Sequence, residues 1–288
     1  MSDLKAGSLS APPHLSSSEY TVIRPRTGWL NFPLSEIWRY RDLLYFLAWR
    51  DLKIRYRQTV LGAGWAIFQP LIQMVIFSFF FGRLVHIPSD NVPYPIFVYS
   101  ALLPWTFFAN ALTACNNSVL NNAGLITKVY FPRLIIPISA IGAILVDFII
   151  AFLLLIGIMG YYHLKIDAAF IAVLPLTLGV MLTALGAGTI LSALSVAYRD
   201  FRHIVPFGIQ LWLFVTPVIY PPSILGSRYE LLINLNPMAG LINGFRSAIL
   251  GRPFQWGAIG LSLCIALLFF IVGIVYFTHA EKRFADII

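Results

Sequence analysis

Charged residues are scarce in this sequence: Asp, Glu, Lys and Arg make up 11% of its 288 residues, whereas hydrophobic residues make up 59%. A soluble globular domain carries about 25% charged residues, which cover its surface in water. The composition therefore excludes a water-soluble domain and predicts a membrane protein. The formal net charge is +8, but the basic residues lie between apolar runs. We therefore expect contacts with membrane lipids and none with nucleic acid.

The sequence also lacks the motifs of a self-contained pump or enzyme. None of its lysines follows a glycine, so the phosphate-binding loop GxxxxGK[ST] is absent, and neither HExxH nor GxSxG occurs. Its two cysteines, Cys115 and Cys264, lie in apolar stretches and are too few for a Cys-based zinc site. We expect no catalysis, no metal and no cofactor in this chain. If ATP drives the protein, a separate chain binds it.

Long apolar stretches are abundant, and a membrane-spanning helix needs about 20 predominantly apolar residues. Six stretches are long enough: Gln58–Gly82, Asn91–Thr127, Leu134–Lys165, Ala168–Ala197, His203–Ser227 and Pro253–Ala280. Within the second we predict a span over Pro95–Ala114, followed by a short connecting helix over Asn121–Arg133. The predicted fold class is an all-α polytopic membrane protein with six transmembrane helices, and residues 58–288 form its membrane domain.

The basic residues predict the orientation of the spans. With six crossings both termini lie on one side, and that side carries fifteen of the twenty Lys and Arg residues. The other five are Arg83, Lys165, Arg228, Arg246 and Arg252. Basic residues concentrate in cytoplasmic loops, so both termini are predicted to be cytoplasmic. Residues 1–35 contain no signal-peptide core, and we predict an uncleaved, disordered cytoplasmic segment.

Two segments are apolar but too short to cross. In residues 36–57 the apolar run Leu43–Trp49 is flanked by basic residues, which predicts an amphipathic interfacial helix on the cytoplasmic headgroups. A plain stop-transfer anchor is the alternative. Before the last span, Leu231–Leu250 is interrupted by proline and glycine, so short re-entrant helices that dip into the membrane from the outer side are one possibility. A helix resting on the membrane surface is the alternative there.

Asp147 is the only acid well inside a predicted span. It lies 14 residues beyond Arg133, or about 21 Å along a helix, which is near the middle of the bilayer. Exposing it to lipid would cost at least ~2.5 kcal/mol, so an embedded acid is a candidate functional residue. No Lys, Arg or His lies beside it within a span. We predict that it faces the helix bundle and is hydrogen-bonded there; a substrate or proton role is the alternative.

Small residues repeat at four-residue spacing in the fourth span, at Ala184, Gly188 and Ser192. At this spacing they share one face of a helix. The pattern predicts a close helix contact at that face.

Five strings stand in a recognisable order and spacing. They are RYRQTVLGAGWAIFQPLIQMVIFSFFFGRL, SALLPWTFFANAL, NNAGLITKVYFPRLIIPISA, YRDFRHI with the following LWLFVTPVIYP, and LNPMAGLINGFRSAILG. Together they resemble the membrane subunit of type-2 ABC exporters, and most closely the permeases that export O-antigen, related surface polysaccharides and teichoic acids. The resemblance covers about residues 36–285.

The resemblance implies a permease of the bacterial inner membrane that exports a lipid-linked polysaccharide. It implies a homodimer bound to two copies of a cytoplasmic ATPase, which binds ATP and Mg²⁺. Residues implied in ATPase coupling are Asn121, Asn122, Gly124, Leu125, Ile126, Lys128, Tyr198, Arg199 and Asp200. Residues implied at a cytoplasmic gate in the interfacial helix are Arg50, Lys53, Arg55 and Arg57. Candidate channel or outer-gate residues are Phe77, Phe80, Trp212, Phe214, Tyr220, Asn236, Pro237 and Arg246.

Two other functions remain open at the level of the sequence. A proton-coupled secondary carrier would use Asp147. A membrane-embedded transferase would act on lipid-linked sugars, but the sequence shows no clustered acids, histidines or metal ligands to support it.

Overall fold

The computed structural model describes residues 34–57, 62–89, 92–225 and 232–284, and all regular structure in these ranges is helical. Residues 1–33 of the predicted disordered segment lie outside the described residues. The α-helices are α1 (Leu34–Arg39), α2 (Arg41–Tyr56), α3 (Trp65–Phe77), α4 (Tyr94–Asn121), α5 (Ala123–Ile126), α6 (Ile135–Tyr161), α7 (Val173–Ala197), α8 (Phe201–Val215), α9 (Pro237–Leu250) and α10 (Trp256–Ala280). A π-helix over Ser78–Leu84 extends α3, and 3-10 turns over Ala168–Ala172 and Glu281–Arg283 extend α7 and α10.

Five helical segments are long and apolar enough to cross a membrane. They are Trp65–Leu84, Tyr94–Asn121, Ile135–Tyr161, Ala168–Ala197 and Trp256–Arg283. The prediction of an all-α polytopic membrane protein is confirmed, with five helices of spanning length among the described residues.

The predicted fifth span, His203–Ser227, is a shorter helix in the structure. Helix α8 ends at Val215 after 15 residues, about 22 Å, whereas the hydrocarbon core is about 30 Å thick. Thr216 has an extended backbone, because the ring of Pro217 disfavours the helical conformation in the residue before it. The prolines at 221 and 222 follow shortly after. Their spacing prevents the helix from resuming as a regular span.

Helix α4 is the centre of the bundle, since 78% of its most apolar window is buried, more than for any other long helix described. It packs against α3, α6, α7, α8 and α9. The helix is longer than the predicted span Pro95–Ala114 and continues to Asn121. Its polar end is accommodated by α7: the buried Ser195 hydroxyl donates to the Asn116 side-chain oxygen at 2.7 Å. A polar residue so paired remains inside the bundle.

The connection from α4 to α6 is less helical than predicted. Only Ala123–Ile126 forms a helix, rather than the whole of Asn121–Arg133. The following residues, Val129, Tyr130 and Phe131, are β-branched or aromatic and have lower helix propensity. Pro132 further disfavours helix in the residue before it.

Helices α7 and α10 approach each other so closely that only glycine fits at the crossing. A Cβ atom on Gly186 would lie 2.3 Å from the Phe269 backbone, and one on Gly273 would lie 2.3 Å from the Gly186 carbonyl oxygen. The predicted stripe of small residues on α7 is also confirmed as a packing face: Ala184 and Ser192 are fully buried, and Gly188 meets Cys115 of α4. Small residues therefore fix α7 between two neighbours.

Helix α2 packs along the first half of α6. A Cβ on Gly142 would touch Ala48 at 3.2 Å, and seven residues further along α2 Arg55 contacts Asp147. The predicted single interfacial segment is broken at Tyr40 into α1 and α2. Because α2 follows α6 over this length, its last turn lies beside the middle of a spanning helix.

Helix α9 is almost wholly buried and packs against α4, α7 and α10. It begins at an Asn236 cap, whose side chain accepts from the Met238 amide at 3.0 Å. It ends at Gly251, which adopts the left-handed conformation, φ 65°. A Cβ on Gly244 would contact Leu176 near the start of α7, and one on Gly240 would meet Ala258 near the start of α10. Helix α9 is thus an integral part of the bundle.

Candidate functional site

The embedded acid Asp147 is held by two residues of α2. Arg55 contacts one carboxylate oxygen at 2.7 Å, and the Tyr56 hydroxyl donates to the other. The prediction that Asp147 is hydrogen-bonded inside the bundle is confirmed, and its basic partner is a residue that the sequence did not indicate. Arg55 reaches it from outside the predicted spans. Burial, and next the bond to Asp147, raises the pKa of Tyr56, so its hydroxyl keeps the proton that it donates.

A cavity of about 220 Å³ lies beside this ion pair, between the end of α2 and helices α3, α4 and α6. Its polar lining consists of Arg55, Tyr56, Gln69, Thr106, Asn110 and Asp147. Trp65, Phe107 and Phe148 supply aromatic walls. The candidate channel aromatics do not border it in the described part of the chain. Since the charges of Arg55 and Asp147 offset each other, this is a polar cavity without net charge near the middle of a span.

A second polar contact joins α2 to the end of α4. The Arg50 guanidinium donates to the Asn122 side-chain oxygen at 2.7 Å, and Asp51 accepts from the same guanidinium at 2.7 and 3.0 Å. The resemblance implies Arg50 at the gate and Asn122 in ATPase coupling. The structure brings these two residues into contact. Lys53 and Arg57 are exposed.

The coupling segment, residues 121–133, has a buried side and an exposed side. Ile126 is 5% exposed and belongs to an apolar cluster with Leu47 of α2, Val196 of α7 and Phe284. Leu125 is half-buried against that cluster. On the exposed side lie Asn121, Gly124, Lys128, Val129 and Tyr130. An ATPase would therefore meet this exposed side and not Ile126.

The loop between α7 and α8 lies at the same end of the bundle. Tyr198, Arg199 and Asp200 are all exposed, and Tyr198 follows two residues after Val196, which packs in the cluster with Ile126. The structure thus brings the two predicted groups of coupling residues to one end of the molecule.

At the opposite end of α4, Arg246 of α9 is buried and holds the turn that follows α8. Its guanidinium donates to the carbonyls of Pro217, Val218 and Tyr220, and its carbon lies 3.9 Å from the centre of the Phe97 ring. Because α8 has stopped, these carbonyl oxygens have no helical N–H groups to accept from. The Arg246 guanidinium supplies the donors instead. Arg246 therefore clamps α9, α4 and the turn together.

Asn236 extends this network. Its side-chain oxygen accepts from the Trp212 indole at 3.1 Å, and its amide donates to the Thr216 hydroxyl at 2.9 Å. The Trp212 ring also packs edge-on against Phe108 of α4. Asn236 thereby ties the end of α8 to the start of α9, next to the buried Pro237.

Replacing Arg246 with methionine is expected to lower the free energy of unfolding by about 2 kcal/mol, because buried carbonyl oxygens lose their donors. Thermal unfolding in detergent measures this change. Arg202→Met is the control, since Arg202 is exposed on α8. Equal midpoints for the two variants would contradict the clamp.

The candidate channel aromatics occupy two environments. Phe80 of the π-helix and Phe214 of α8 are 52% and 62% exposed. Phe77 is half-buried and packs edge-on against Phe81, and the Tyr220 hydroxyl donates to the Phe214 carbonyl at 3.0 Å. The exposed pair is available to line a passage or to contact a second protein.

Sequence reasoning missed several residues of these contacts, namely Tyr56, Phe97 and Thr216, and also Asp51 beside Arg50. Tyr56 adjoins predicted Arg55, and Thr216 precedes Pro217, so local signals existed for both. Nothing in the sequence around Phe97 indicates a cation beside it. Across the described ranges, no three His, Cys, Asp or Glu side chains come together as a metal site.

Comparison with known proteins gives a consistent picture. The family described as ABC-2 type transporter matches residues 42–250. The chain is 28% identical to the O-antigen export system permease protein RfbA of Klebsiella pneumoniae over 86% of this chain and 95% of the relative. It is 32% identical to the RfbA protein of Myxococcus xanthus, over 74% of this chain and 82% of the relative. It is 23% identical to the polysialic acid transport protein KpsM of Escherichia coli, over 70% of this chain and 78% of the relative.

The matched region runs from the start of α2 to the end of α9 and contains both polar contacts of α2, the coupling segment and the Arg246 clamp. With a family match over most of its length and a helical architecture of spanning length, the chain belongs to the ABC-2 type transporter family.

Proposed function

We propose that this chain is the permease subunit of an ATP-driven exporter that moves a lipid-linked, O-antigen-like polysaccharide out of the cytoplasm across a bacterial inner membrane. Two copies form the pathway, and two copies of a cytoplasmic ATPase subunit bind ATP and Mg²⁺. The observation that carries the proposal is the similarity over 86% of the chain to a permease named for O-antigen export. The match to the ABC-2 type transporter family does not favour a proton-coupled carrier or a transferase.

The contacts support six crossings with both chain ends on the cytoplasmic side. The cluster with Ile126 contains residues from α2 and the last turns of α7 and α10, so these elements meet at one end. Helix α8 starts just after α7 at that end. At its far end the Tyr94 hydroxyl of α4 donates to the Ile219 carbonyl at 2.8 Å. Helix α8 and its extended turn together thus cover the length of α4, as a fifth crossing requires.

The outer end supports the re-entrant assignment for α9. Its last turn precedes Arg252, whose guanidinium donates to the Ser89 carbonyl at 3.4 Å in the loop before α4. Its glycines pack against the first turns of α7 and α10. Both ends of the connection from α8 to α10 therefore lie at the side of the membrane away from the coupling segment.

The exposure of the first span supports a second copy. Only 6% of the most apolar window of Trp65–Leu84 is buried, against 28% or more for each of the other spanning segments. In α8 only Val205 is buried. These two elements flank the central α4. In the proposed homodimer, the exposed faces of spans one and five pair across the polysaccharide path.

A strain that lacks this chain is expected to lose the polysaccharide from its surface and to accumulate lipid-linked polysaccharide inside. The wild-type chain should restore export, whereas Val129→Asp/Tyr130→Asp should not. These side chains are 52% and 69% exposed on the coupling segment, so charges there disrupt an apolar contact with the ATPase without disturbing the core. Surface staining, chain abundance and co-purification of the ATPase measure the three effects.

Tyr161→Asp is the matched control, because Tyr161 is 79% exposed at the other end of α6. It should export normally. A normal polysaccharide surface without the chain would overturn the proposed function. Full ATPase binding by the double variant would overturn the proposed docking side alone.

A further inference from the structure

Helix α2 is fixed at two points along its length. Near its middle Arg50 contacts Asn122, where the coupling segment begins, and in its last turn Arg55 contacts Asp147 in α6. We propose that Arg50 and Asn122 are positioning residues for transport: their contact makes α2 follow the coupling segment. Helix α2 in turn carries the movement through Arg55 to the middle of α6. The proposal rests on the proposed function, because it takes the ATPase as the source of the movement.

The contact is held rigidly on both sides. Asp51 accepts from two nitrogens of Arg50, which fixes the plane of the guanidinium. The Asn122 amide donates to the Ser118 carbonyl in the last turn of α4 at 2.8 Å, which fixes the orientation of its oxygen. Asn122 is 9% exposed. A charged donor and an oriented, largely dry acceptor make a stronger link than a neutral pair on the surface.

Apolar packing next to this contact makes the link continuous. Leu47, one turn before Arg50, is 2% exposed and belongs to the cluster with Ile126 and Phe131 of the coupling segment. Helix α2 is thus linked to the segment by a hydrogen bond and by a buried side chain of the same apolar cluster. Packed side chains transmit displacement because interiors are dense and resist compression.

A displacement of α2 would move the residues of its last turn, which line the polar cavity. Arg55 and Tyr56 form one wall of the 220 Å³ cavity, and α3, α4 and α6 form the others. A shift of α2 along α6 therefore alters the shape of a polar space beside the exposed first span. This connects the cytoplasmic surface with a site near the middle of the bundle without requiring α4 itself to bend.

The test uses the intact permease–ATPase complex and measures ATP hydrolysis in proteoliposomes together with surface polysaccharide in cells. Asn122→Leu keeps the approximate shape and removes the acceptor, and Arg50→Met keeps the apolar stem and removes the donor. Each is expected to lower export about tenfold, the effect of losing a hydrogen bond to a charged group, while ATP hydrolysis changes less than about twofold.

Arg50→Lys keeps a cationic donor and should retain most of the export. Arg41→Met is the control on the same helix, because the Arg41 side chain is 61% exposed and should export normally. The double variant Arg50→Met/Asn122→Leu should be no worse than either single variant, since both remove one contact.

Unchanged export in both single variants would overturn the proposal, and so would losses that multiply in the double variant. If the single variants are also less stable, export is divided by ATP hydrolysis for both single variants and the double variant. This ratio compares transport per ATP in the complexes that remain, so it still decides between these outcomes. Failure of the proposed function is distinguishable, because the wild-type complex itself would then export nothing.

Discussion

Replacing Asp147 with arginine is expected to abolish export and to lower the stability of the protein, and adding Arg55→Asp in the same chain is expected to restore part of both. The single change places two cations together beside the middle of α6, where an unpaired charge costs at least ~2.5 kcal/mol. The double change reverses the polarity of the pair that the structure shows at 2.7 Å. Surface polysaccharide and thermal unfolding in detergent measure the two effects.

Asp42→Arg is the matched control for this reversal. Asp42 lies on α2 and its side chain is 94% exposed, so the same change of charge should leave export and the unfolding midpoint nearly unchanged. Normal export by the Asp147→Arg variant would contradict the importance of the ion pair. If the double variant is as unstable as Asp147→Arg alone, the ion pair with Arg55 is not the reason that Asp147 stabilises the protein.

Replacing Gly273 with alanine is expected to destabilise the bundle by ~1–3 kcal/mol, because an added methyl group cannot fit at a backbone-to-backbone crossing. Its Cβ would lie 2.3 Å from the Gly186 carbonyl oxygen and 2.6 Å from the Thr189 hydroxyl. Neither backbone can move away without separating α7 from α10. The unfolding midpoint and the amount of monodisperse protein in detergent measure this effect.

The same helix offers a control. A Cβ on Gly260 would meet nothing within 4 Å, so Gly260→Ala should be neutral or stabilise the helix by up to ~1 kcal/mol through the higher helix propensity of alanine. Equal midpoints for Gly273→Ala and Gly260→Ala would show that α7 and α10 can separate without cost.

The spans with simple apolar composition were predictable. The fourth stretch, Ala168–Ala197, coincides with a helical segment of the structure, and the stretch from Pro253 contains α10 with the same last residue, Ala280. An apolar run of this length has few alternatives in a membrane, because its backbone polar groups must bond within the helix. The prediction that Asp147 is satisfied inside the bundle follows from the same cost.

The ends of elements and the long-range pairs were not predictable. Nothing near Asn116 in the sequence indicates that Ser195, 79 residues later, pairs with it between α4 and α7. Arg55 and Asp147 are separated by 92 residues. The local sequence pattern around Asp147 therefore does not indicate which basic residue pairs with it. By contrast, the end of α8 follows from a local rule, because Thr216 precedes Pro217 and proline disfavours the helical conformation in the residue before it.

The central position of α4 has a consequence for biosynthesis. This helix leaves the ribosome before α7, so Asn116 is synthesised 79 residues before the Ser195 that pairs with it. During that interval a helix that is surrounded by protein in the finished fold faces lipid, the insertion machinery or water. Translation pauses between the two helices, or variants that delay insertion of α7, should therefore expose newly made chains to membrane proteases even where the completed protein is stable.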